Sequence, residues 1–181
     1  MTGNKKTHET RAFDADADKL NFEFDYNLAE TEALGDLLNH NPNPTLDDLR
    51  RVALWKIDRI LDIPEGTIRN LSKLVQTNPL SHRSQESRDI LQELTDCPGV
   101  WYPMASAILK FLRPDIFPII DVRAYRALKG KRLYPRSYSV DLYLDYVDEL
   151  KDIASKTNIP FHEVDQQLYC FDREFNQAIN S

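Results

Sequence analysis

From Leu28 onward the apolar side chains recur at spacings of three and four residues, in runs cut by proline, glycine and short polar stretches. Such spacing lines one stripe of an α-helix, whereas a half-buried strand needs alternation with a period of two. It predicts a first helix through Leu28, Leu34, Leu37 and Leu38, stopped by the breakers His40-Asn41-Pro42-Asn43-Pro44. Thr45 reads as the N-cap of a second helix, with Asp47 and Asp48 in the first turn. Leu46, Leu49, Val52, Ala53, Ile57, Ile60 and Leu61 follow, ending before Pro64. A third helix carries Ile68, Leu71, Leu74 and Val75, and the polar loop SHRSQES (81–87) separates it from Ile90, Leu91 and Leu94. Two longer helices close the chain, one from Val140 to Ala154 and one through Val164, Leu168, Phe171 and Phe175. No alternating strand and no internal repeat is present, so the fold class is all-α.

With 181 residues the chain suits one domain, or one with two lobes, and is long enough to bury a core without staples. Residues 1–20 are polar and charged and read as a loose arm, with NFEFDYNL (21–28) beginning the fold. The arm has two early lysines but no apolar stretch after them, so it does not read as a signal peptide. No window approaches the ~18 consecutive apolar residues of a membrane span. Two cysteines, Cys97 and Cys170, are too few for a disulfide framework, and a cytoplasmic, monomeric protein with reduced thiols is the simplest expectation. The net charge of −6 and pI of about 5.2 by themselves argue against a nucleic-acid partner.

The central stretch LQELTDCPGVWYPMASAILKFLRPDIFPIIDVRAYRALKG (91–130) holds the most information. It reads as a helix ending at Asp96, a tight turn at Pro98-Gly99-Val100, and a second helix through Met104, Ala105, Ile108 and Leu112. An apolar extended run, 116–120, follows, and then Asp121 at the start of another helix. This is a helix–hairpin–helix. Backbone N–H groups in a glycine turn face a phosphate, and the following helix N-terminus adds favourable potential. Such a grip reads the nucleic-acid backbone and carries no sequence information.

On Leu91, Leu94, Pro98, Gly99, Val100, Ala105, Ile108, Asp121 and Arg126 the segment resembles the helix-hairpin-helix base-excision DNA glycosylases, the HhH-GPD superfamily. The match is specific over residues 87–129, weak over 161–176, and absent as a motif before residue 80. The resemblance implies a two-lobed helical domain over 21–181, with a first lobe of 21–80 plus the closing helices 138–179 and a hairpin lobe of 85–136. It implies that Asp121 stands at the mouth of a base pocket. There a flipped nucleotide presents its N-glycosidic bond, and the carboxylate stabilises oxocarbenium character on the sugar and positions a water. Read locally, Asp121 does no more than N-cap the next helix. The lysine with which bifunctional members form a Schiff base aligns with Pro103, and no Lys lies between Asp96 and Lys110, so no lyase activity is implied. Cys170 alone does not suffice for the iron–sulfur cluster of some relatives, and no cofactor or metal is expected. Trp101 stands where the family has the second hairpin glycine. It either stacks on nucleic acid or packs on the protein surface.

Charge position modifies the first impression of acidity. Residues 110–136 carry eight basic side chains (Lys110, Arg113, Arg123, Arg126, Lys129, Lys131, Arg132, Arg136) against Asp115 and Asp121, a local +6 that leaves −12 elsewhere. Pro98, Gly99, Val100, Trp101 and Tyr102 of the hairpin, with Arg123, Arg126, Lys129, Lys131 and Arg132, are therefore the candidate DNA contacts; a solvated face is the bland alternative. Trp55, Lys56, Arg59 and His162 are candidates for lining a base pocket. A packed Trp55 with Lys56 and Arg59 snorkelling beside it, and a surface or capping His162, are the structural alternatives. Glu163 and Asp165 are expected to serve the dipole of the last helix. The leading reading is a monofunctional, cofactor-free glycosylase acting on duplex DNA with a damaged or modified base. The others are a non-catalytic DNA- or partner-binding module, and a glycosylase for hypermodified, phage-type bases in defence.

Overall fold

The computed structural model describes residues 28–39, 41–56 and 61–176, and these are helical with no strand among them. The loose arm expected over 1–20, and Ile57, Ile60 and Arg59, lie outside the described residues. The chain divides into two compact units after Lys56.

The first unit contains α1 (Leu28–Leu38) and α2 (Leu46–Lys56), which pack on each other. Thr45 opens α2 through a reciprocal box. Its Oγ1 accepts the Asp48 N–H at 3.2 Å, and Asp48 Oδ2 accepts the Thr45 N–H at 2.8 Å, satisfying donors that a helix start leaves open. Arg51 donates to Glu30 at 2.8 Å across the pair, and Trp55 Nε1 donates to Thr31 Oγ1 at 2.8 Å.

The second unit contains α3 (Glu65–Gln76), α4 (Gln85–Asp96), α5 (Tyr102–Leu112), α6 (Val122–Lys129), a single 3₁₀ turn (Pro135–Ser137), α7 (Val140–Thr157) and α8 (Phe161–Phe175). The polar loop is shorter than its composition suggests: Ser84 accepts the Ser87 N–H, and α4 starts at Gln85. Leu61, counted with α2 from its spacing, instead belongs to the non-helical approach to α3. The core is built from Leu91 and Leu94 of α4, Ala105 and Leu109 of α5, Tyr143, Leu144, Val147 and Leu150 of α7, and Val164 of α8. Helix α4 packs against α3, α5 and α7, while α8 packs against α6 and α7.

The run 116–120 threads the middle of this unit. Phe117 and Ile120 are fully buried, so its backbone polar groups need protein partners. Three helices supply them. Tyr143 and Tyr146 of α7 donate to the carbonyls of Pro118 (2.8 Å) and Ile119 (3.0 Å). Ser106 Oγ of α5 accepts the Ile120 N–H at 3.1 Å, and Asp165 of α8 accepts the Ile119 N–H at 2.8 Å. Asp121 follows at once, so its position is fixed by side chains from α5, α7 and α8.

Candidate functional site

The expected hairpin is present. Helices α4 and α5 pack on each other, and the turn between them closes with the Val100 N–H donating to the Cys97 carbonyl at 3.1 Å. Gly99 has φ of +77°, the left-handed region where a side chain costs energy, which is why this position takes glycine. Trp101 is different. As N-cap of α5 it has φ of −126°, extended backbone open to any residue, so a tryptophan here imposes no backbone strain. Its ring is 49% exposed and meets Tyr102 and Tyr138 edge-on, at centroid distances of 5.7 and 6.4 Å. Pro98 and Gly99 are exposed, and the N–H groups of Gly99 and Trp101 have no partner among the described residues. Val100 and Tyr102, by contrast, turn their side chains into the core, and from these two only backbone is left to meet a ligand.

Asp121 N-caps α6, accepting the Ala124 N–H at 2.7 Å. The same carboxylate lines a cavity of about 170 Å³ with Ile119, Ala124, Asp165, Gln166, Tyr169 and Cys170. Burial pushes its pKa above the ordinary carboxylate value and the charge of Asp165 adds to this, against the hydrogen bonds of the α6 N-terminus and the charge of Arg123. Tyr138 feels Asp121 in turn. Its phenol is pushed up to about 12, first by burial and then by the Asp121 charge. The Tyr138 hydroxyl is also the one fully buried side-chain polar atom without a hydrogen-bond partner among the described residues. A group left so costs stability. Tyr138→Phe should therefore leave the protein as stable, or raise its unfolding free energy by about 1 kcal/mol, in a urea titration. A loss of more than about 1 kcal/mol would show that the hydroxyl has a partner after all.

The basic cluster divides once its partners are in view. Lys110 is 7% exposed and donates to both oxygens of Asp165, itself 3% exposed. Asp165 is thus no dipole cap. It is the counter-ion of a buried lysine, which the closeness of Asp165 to the start of α8 did not reveal. Arg126 grips the fully buried Asp172 bidentately (2.7 and 2.8 Å), and Arg123 adds a contact at 3.2 Å. Lys129 pairs with Glu149, and Arg113 pairs with Asp115. The remaining three of the eight cations are Lys131, Arg132 and Arg136. All three are exposed, and Arg132 lies over the Tyr134 ring at 5.6 Å.

The base-pocket candidates expected from the sequence are Trp55, Lys56, Arg59 and His162. Trp55 and Lys56 belong to the first unit, and Arg59 lies outside the described residues. His162 is exposed, with Glu163 3.6 Å away, and does not line the Asp121 cavity. The residues that do line it, Gln166, Tyr169 and Cys170, repeat at helical spacing on α8, and only their placement against α6 identifies them. Among the described residues no cluster of three or more His, Cys, Asp or Glu is arranged to hold a metal, and no helix is long and apolar enough to cross a membrane. Comparisons with protein-family models, with curated proteins and with solved structures return no match for this chain.

Proposed function

We propose that the protein is a monofunctional DNA glycosylase in which Asp121 drives hydrolysis of the N-glycosidic bond of a flipped base. The observation that carries this reading is the junction of hairpin, apolar run and Asp121. A helix–hairpin–helix leads, through a run pinned by side chains of three helices, into a carboxylate that is partly desolvated and open to a small cavity. A carboxylate kept where burial penalises its charge is a mark of functional sites. Desolvation makes it a better base for an attacking water and strengthens its field on a cationic sugar. The hairpin N–H groups of Gly99 and Trp101 would take a phosphate, and the exposed Lys131 and Arg136 would add the long-range attraction. Base release in this scheme needs no amine nucleophile and leaves an abasic site.

The non-catalytic binding module is the second reading. Its support is the internal pairing of Lys110, Arg113, Arg123, Arg126 and Lys129, which leaves a thinner positive face than the sequence counts.

A panel of duplexes carrying oxidised, alkylated, deaminated and hypermodified bases separates the two. The glycosylase reading expects alkali-labile strand breaks on at least one duplex and none without alkali. Affinity for the panel with no break on any member would support the binding module instead.

A further inference from the structure

A second cluster of titratable groups lies between the loop before α4 and helix α7, at residues the proposed glycosylase does not use. His82 is 6% exposed, and both ring nitrogens are engaged. Its Nε2 lies 2.6 Å from Asp148 Oδ1, and its Nδ1 lies 2.8 Å from Lys151 Nζ. The partners fix the tautomer. A carboxylate takes the proton on Nε2, so Nδ1 presents its lone pair to the lysine.

The carboxylates nearby are committed elsewhere. Asp148 uses its second oxygen on Arg83 Nε at 2.7 Å, and Asp145 holds Arg83 Nη2 at 2.7 Å. Lys151 has no carboxylate within ion-pair distance among the described residues, and the Phe161 ring covers it at 5.7 Å. A lysine placed for stability alone would meet an anion. This one meets a base, and the base is oriented by a third group. Nucleophile, base and orienter in hydrogen-bond sequence are the arrangement that activates a side-chain nucleophile.

We propose that Lys151 is a reactive amine, activated by His82 and Asp148, that takes up an acyl group from small activated acyl donors. Burial also lowers the Lys151 pKa, enlarging the fraction of free amine. The ammonium first loses one proton to water. Nζ then attacks the carbonyl carbon of the donor; with an acyl phosphate, the C–N bond forms as the C–O bond to phosphate breaks and phosphate leaves with the electron pair. The second proton passes from Nζ to His82 Nδ1, and the Asp148 carboxylate offsets part of what burial costs the resulting imidazolium. The products are an Nε-acyl lysine and inorganic phosphate.

The test is acetylation of the full-length protein by acetyl phosphate at pH 7, with rates at individual lysines read by peptide mass spectrometry. Lys131 and Lys156 are exposed and serve as internal references. Lys151 is expected to acetylate about a hundredfold faster than either, the low end of what a positioned base supplies. Asp148→Asn, at a partly exposed position, should cut that advantage by at least about threefold and leave the references unchanged, and His82→Gln should remove it. Two results would overturn the proposal: Lys151 reacting no faster than Lys131 and Lys156 in the wild-type protein, or keeping its full advantage in folded Asp148→Asn. The outcome is independent of whether the protein releases bases.

Discussion

Asp121→Asn is expected to lower base release by at least about a hundredfold on any duplex from which the wild-type protein releases a base, with duplex affinity changed less than about threefold. Removing the charge removes the field on the sugar and the acceptor for the proton of water, while the hairpin and the exposed cations are untouched. The same variant should not lose stability. Asparagine caps helices as well as aspartate and still offers an oxygen to the Ala124 N–H. Because the native pKa of Asp121 is raised above 3.8, the native state holds this proton more tightly than the unfolded chain does. Its contribution is therefore most favourable below pH 3.8 and declines as pH rises through the native value. At neutral pH the wild type bears the cost of the buried charge and Asp121→Asn does not, so thermal melts should place the variant level or higher. Asp121→Ala, which loses the cap, should fall by about 1 kcal/mol. Base release by Asp121→Asn at the wild-type rate would rule out the carboxylate as the catalytic group.

The largest stability effects are expected at Lys110 and Asp165. Either Lys110→Met or Asp165→Asn strands a charge in the interior, and each should cost about 3–5 kcal/mol in urea unfolding. That is a large part of the 5–15 kcal/mol, roughly, on which a domain stands. The double variant Lys110→Met/Asp165→Asn removes both charges and should be at least about 2 kcal/mol more stable than the sum of the single losses. Full recovery is not expected: the asparagine can still accept the Ile119 N–H, but its NH2 group faces methionine in place of the lysine and is left without an acceptor. Additive losses would mean that the two groups do not act as a pair. Because Asp165 lines the Asp121 cavity and holds the run leading into Asp121, the single variants should also disturb the site.

These two sites differ in how far they could be read from residue order. The cap at Asp121, the left-handed turn at Gly99 and the break after α1 are local. Each depends on φ angles and on hydrogen bonds spanning three or four positions, which neighbouring residue types specify. Helical class and the placement of α3 to α8 were legible for the same reason: apolar spacing repeats within a few turns. Asp165 was misjudged because proximity to a helix start is a local cue, while its actual partner, Lys110, lies 55 positions away. The positive segment was legible as a count. Its availability was not, since Arg126 and Asp172 stand 46 positions apart. The His82–Lys151 contact joins residues 69 apart and leaves no mark in the sequence at all.

The sequence by itself determined the helices, the hairpin turn and a carboxylate at the head of α6, because these follow from backbone preferences and short-range hydrogen bonds. Only the tertiary structure decided which charges are spent on one another and which face solvent. It also decided which carboxylate is desolvated beside a cavity. Burial and ion pairing depend on what packs across the core, and that is settled by contacts between distant parts of the chain.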